Sequence, residues 1–97
     1  MKHINSETGK TIDLTSLSES EKKFYAAARK RFQENVDWIE FQNFAFGIES
    51  PIYAGNRSHL EVKSNPLFQA LLDMALQLGI QQGMVAQHKV ERETIAQ

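Results

Sequence analysis

Apolar positions crowd most densely between Asn65 and Gly79, where polar residues thin to a narrow stripe. Leu67, Phe68, Ala70, Leu71, Leu72, Met74, Ala75, Leu76 and Leu78 cover roughly two-thirds of a helix circumference at about 100° per residue. Gln69, Asp73 and Gln77 make up the remaining stripe. Asn65 is a good N-cap, because its side-chain carbonyl accepts from an otherwise unpaired backbone N–H. Pro66 suits the first helical position, where a missing N–H costs nothing. Gly79 offers the left-handed stop that ends many helices. The pattern predicts a nearly all-apolar helix over about 66–78, too short to cross a bilayer and therefore the central core helix.

A second periodic stretch begins near Ser18. Ser18 and Glu21 have the spacing of a capping box, each side chain satisfying the other residue's backbone N–H. Leu17, Phe24, Tyr25, Ala28, Phe32 and Val36 recur at helical intervals, and Lys22, Lys23, Arg29, Lys30, Arg31 and Glu34 take the other sides. A helix over 18–35 follows. Trp38, Phe41, Phe44, Ala45 and Ile48 continue on one helical face, although Phe44, Phe46 and Ile48 also alternate as a strand would. A helix over 37–46, stopped by Gly47 and joined to the first by a kink near Asn35, fits better.

Elsewhere the pattern weakens. Residues 1–14 are polar, and a hairpin pairing His3-Ile4 with Thr11-Ile12 is marginal alone in water, so a flexible lead-in is expected. Residues 47–64, with Pro51, Gly55 and Asn56, read as a long irregular loop, in which Ser58 to Val62 add a turn of helix or a short strand. The stretch after Gly79 is glutamine-rich and loosely amphipathic, with 90–97 a flexible tail. The expected fold is all-α: a single domain of three main helices, about 18–35, 37–46 and 66–78.

Composition narrows the functional classes. Apolar residues at 41% and charged residues at 24% are globular values. A net charge of −1 gives no global field for nucleic acid or an anionic membrane. The absence of cysteine excludes disulfides, thiolate metal sites and cysteine nucleophiles. No signal-peptide core or lipidation motif is recognisable, which makes a cytoplasmic location the expectation. No phosphate loop, nucleophile elbow or metal motif appears, and His3, His59 and His88 are too scattered for a metal site. The sequence therefore assigns no catalytic residue, no cofactor and no metal, and catalysis through the polar loop set Tyr53, Asn56, Arg57, Ser58, His59 and Glu61 ranks third, behind two interaction readings.

Two interaction readings remain. Eight of the nine aromatic residues lie between Phe24 and Tyr53, and the second helix has Ile39 and Phe46 off its main apolar sector. Phe46, Ile52, Tyr53, Asn56, Arg57 and His59 are the candidate partner-binding set of a small non-catalytic interaction protein, with self-association included. The alternative is a nucleic-acid-binding regulator. Leu72 to His88 resembles the spacing of a helix-turn-helix DNA reader, with Ala75 small, Gly79 at the turn and Val85 as the second-helix anchor. The resemblance implies that Gln81 and Gln82 face outward, where glutamine pairs with adenine. Arg29, Lys30 and Arg31 on the basic helix are the phosphate candidates. Against it, Gly83 falls inside the second helix and His88 stands where an apolar anchor belongs.

Overall fold

A computed structural model describes residues 1–6, 8–53 and 58–83. A two-stranded hairpin, β1 (Lys2–Ile4) and β2 (Thr11–Asp13), precedes α1 (Glu19–Gln33) and α2 (Trp38–Ala45). A short 3-10 turn (Pro51–Tyr53), α3 (His59–Ser64) and α4 (Pro66–Gln81) complete the described part. The chain is mostly helical, as its periodicity implies, with the small sheet as the departure. α4 is the hub, packing against α1, α2, α3 and β2.

The helix ends follow from local chemistry. Ser18 Oγ accepts from the Glu21 N–H at 3.2 Å, and Glu21 Oε1 accepts from the Ser18 N–H at 3.0 Å. The same carboxylate's Oε2 accepts from Asn65 Nδ2 at 3.2 Å, while Asn65 Oδ1 accepts from the Leu67 N–H at 2.8 Å. The caps of α1 and α4 are thus bonded to one another. α1 ends where Asn35 turns left-handed at φ 54°. The Asn35 N–H bonds to the Phe32 carbonyl and the Val36 N–H to the Arg31 carbonyl, the paired bonds of a Schellman stop. Asp37 Oδ1 then caps α2, accepting from the N–H groups of Ile39 and Glu40. The kink expected near Asn35 is this stop followed at once by a cap.

Three expectations need correction. The stretch expected as an irregular loop over 47–64 holds two short elements among its described residues, because Ile52 seats the 3-10 turn in the core and Ser58 caps α3 by accepting from the Glu61 N–H. α4 does not stop at Gly79 but runs through it to Gln81, and Gly83 takes the left-handed φ of 75° instead. A helical glycine costs only about 1 kcal/mol, and a tertiary tie beyond it offsets that cost. Gln82 Oε1 accepts from the Trp38 N–H and its Nε2 donates to the Val36 carbonyl, both at 2.7 Å. Lastly, residues 2–4 and 11–13 form paired strands where a lead-in without strands was expected. His3 pairs with Ile12 and Ile4 with Thr11, the register read from the sequence. Leu14 and Leu17 lie buried in the core beside Tyr25, Phe41, Leu71 and Met74. The tail expected over 90–97 lies outside the described residues.

Candidate partner-binding face

Phe24 and Arg31 stand seven residues apart on α1, two turns along one stripe. Phe44 of α2 enters between them. Its ring stacks on Phe24 at 4.5 Å and 6° between planes, and Arg31 Cζ lies 3.8 Å from its centroid. Those distances cannot both be met on one face, so the Phe44 ring is sandwiched. Arg31 Nη1 also donates to the Ala27 carbonyl at 3.2 Å, which fixes the guanidinium over the ring. Phe24 and Phe44 are only half-buried, although both were expected on core-facing sectors.

Beside this stack lies an open groove of about 490 Å³, lined by Phe24, Asn43, Phe44, Gly47, Ile48 and Glu49. Its lip is a tight turn in which the Ser50 N–H bonds to the Gly47 carbonyl at 3.0 Å. The two central residues of that turn are Ile48 and Glu49, whose side chains project outward. Ile48 is 95% exposed. Gly47 has no substitute in this geometry, because a Cβ there would run into the Asn43 carbonyl oxygen.

The sequence-derived residues are dispersed by the fold. Phe46 turns towards α4, meeting Phe68 edge-on at 5.7 Å, and its carbonyl accepts from the Tyr53 hydroxyl at 3.2 Å. Ile52 is fully buried and is a core residue, a correction to its place in the partner-binding set. Its apolar side chain holds the 3-10 turn against α1. Tyr53 is partly exposed and His59 is exposed at the start of α3, while Asn56 and Arg57 lie outside the described residues. On the basic helix, Lys30 is exposed and Arg29 lies over Phe32 at 5.3 Å. Gln81 is exposed, but the Gln82 amide is committed to the backbone of residues 36 and 38. The turn that a helix-turn-helix requires at Gly79 is absent, since α4 is continuous there. Val85 and His88 lie outside the described residues. The sequence reading missed Phe24, Phe44 and Glu49 as groove residues; a bulky Ile48 directly after a helix-ending glycine was the available signal.

A second constellation has residue types of the catalytic kind. His3 Nε2 lies 2.7 Å from Asp73 Oδ2, and His3 Nδ1 lies 2.8 Å from the Tyr25 hydroxyl. Ser6 donates to the same carboxylate through its backbone N–H at 3.1 Å and its hydroxyl at 3.2 Å. A carboxylate only accepts, so Nε2 carries the proton, and in the neutral ring Nδ1 accepts from Tyr25. Burial pushes the Tyr25 hydroxyl above its ordinary pKa, with Arg29 opposing and Asp73 adding to the rise. His3, Tyr25 and Asp73 are all buried, and their polar atoms are spent on one another. This arrangement binds the hairpin to α1 and α4; no substrate reaches it.

Among the described residues no group of three or more His, Asp or Glu is placed to hold a metal ion, and no helix is long and apolar enough to cross a membrane. No protein-family model matches the chain, and neither a curated protein nor a solved structure matches it.

Proposed function

We propose that this chain is a non-catalytic protein-binding module that docks a partner on the Phe24–Phe44 groove and its Ile48 lip. The observation that carries this reading is the exposure of Ile48, 95%, on a hydrogen-bonded turn beside a half-buried aromatic stack. An isolated exposed isoleucine is ordinary. One that adjoins a groove floored by two aromatic rings gives an anchor site, with apolar area to bury and Asn43 and Glu49 to orient the partner's polar groups. The groove's volume falls within the range of sites that accept side chains or small ligands. The chemistry points to a protein segment with a bulky apolar residue.

Nucleic-acid binding through Arg29, Lys30, Arg31, Gln81 and Gln82 is the competing reading, and it has less support. Gln82 has no free amide to offer a base, and the Arg29 and Arg31 guanidinium groups are placed over the rings of Phe32 and Phe44. The test is panning of a random-peptide display library on the protein and on Ile48→Asp, with a mobility-shift assay at low salt alongside. Enrichment of peptides with bulky apolar residues that bind the parent and not the variant is expected. Enrichment that ignores Ile48, or a salt-sensitive shift with nucleic acid and no peptide selection, overturns the proposal.

A further inference from the structure

We infer that the partner seated on this face is a second copy of the same chain, paired about a twofold axis. The inference rests on the reading of the groove as a docking face and names its occupant. A twofold interface needs a patch complementary to itself, because each residue contacts a site on the other copy and is contacted in return. This patch has both halves of such a contact side by side. Ile48 is the projecting side chain, and the groove floored by Phe24 and Phe44 is the receiving one. A rotation that places one Ile48 over the other copy's groove places the second Ile48 over the first groove.

The charges fit the same operation. Glu49 stands on the lip, and Arg31 lies on the far side of the Phe44 ring from Phe24. Neither has an ion-pair partner among the described residues. Antiparallel apposition of two patches brings Glu49 of one copy towards Arg31 of the other, twice. Like charges then avoid each other at both ends, which a partner without this charge order does not ensure. With a formal net charge of −1 per chain, long-range repulsion between copies is small.

Sedimentation velocity from about 1 µM to about 1 mM, the span of a weak pair, tests this. The sedimentation coefficient is expected to rise from monomer to dimer in the parent chain. Ile48→Asp, with an unchanged circular dichroism spectrum, is expected to stay monomeric throughout. Glu49→Arg and Arg31→Glu are each expected to weaken the pair by about tenfold or more, since each sets like charges together twice. Mixed in equal amounts, the two variants regain both opposite-charge contacts and dimerise again. If Arg31→Glu loses its fold through the Phe44 stack, Glu49→Arg on the exposed turn carries the charge test alone, with Glu49→Gln expected to fall between it and the parent. A parent monomeric at every concentration, or a dimer indifferent to Ile48→Asp and Glu49→Arg, overturns the inference. A monomeric parent that still selects Ile48-dependent peptides removes the second copy and leaves the docking face standing. Loss of both removes both.

Discussion

Tyr25 is the residue whose surroundings make the most direct solution prediction. Burial raises its pKa above the ordinary value of 10.0, with Arg29 opposing and Asp73 adding to the rise. The unfolded chain therefore releases this proton first. Below about pH 10 both states hold it and the contribution to stability is constant; above that, stability falls as pH climbs towards the folded value. Urea titrations from about pH 8 to about pH 11, roughly two pH units below the onset to one above it, are expected to show that decline. In Tyr25→Phe the decline attributable to this group disappears. Absorbance of tyrosinate in the folded Tyr53→Phe protein reports Tyr25 alone and locates the folded value towards which the decline runs. At this scale the sequence was legible wherever the cause was local. Ser18 with Glu21 and Asn65 with Pro66 were read correctly, because a cap depends on neighbours three or four residues away; near Asn35 only a kink was expected, where the helix in fact stops at a left-handed residue. Asp73 was read as part of a wet stripe and is buried, because the groups that satisfy it, His3 and Ser6, lie some seventy residues distant.

At the scale of elements, α4 shows what periodicity leaves undecided. A helix apolar on most sides does not say which side its neighbours will cover. Leu71 is fully buried, whereas the adjacent Leu72 is 40% exposed. Leu71→Ala is expected to cost about 2–5 kcal/mol, the loss of a buried leucine plus its cavity. Leu72→Ala is expected to cost less than about 1 kcal/mol, since much of its surface is already in water. Denaturant titration of the pair checks this, and equal costs would mean that the outer side of α4 is covered. The helix end was misread for a related reason. Gly79 is a sound stop on local grounds, yet the Gln82 amide binds the backbone at both ends of the α1–α2 connection and draws the helix past it. The loop over 47–64 hid two short elements because neither is long enough to show a period. The groove was only half legible: Ile48 and the rings are visible in the sequence, but the insertion of Phe44 between Phe24 and Arg31 depends on how two helices cross.

For the whole molecule, the hairpin is the instructive part. Its register was readable in the pairing of His3-Ile4 with Thr11-Ile12, but its persistence was not, since two short strands are barely stable alone. Stability comes from His3, which reaches α1 through Tyr25 and α4 through Asp73. His3→Ala is expected to remove about 1–3 kcal/mol, the cost of leaving buried polar groups unpaired. Native-state amide exchange locates the loss: the N–H groups of Leu14 and Asn5 should exchange much faster, with α2 little changed. Uniform acceleration across all helices would mean instead that the hairpin is integral to global unfolding. The same contact sets an order of events during biosynthesis. Synthesis runs towards the C-terminus, so β1 and β2 are made about sixty residues ahead of Asp73. The hairpin is made before the helix that seats it, and a nascent chain interrupted before α4 carries an imidazole without the carboxylate that receives it.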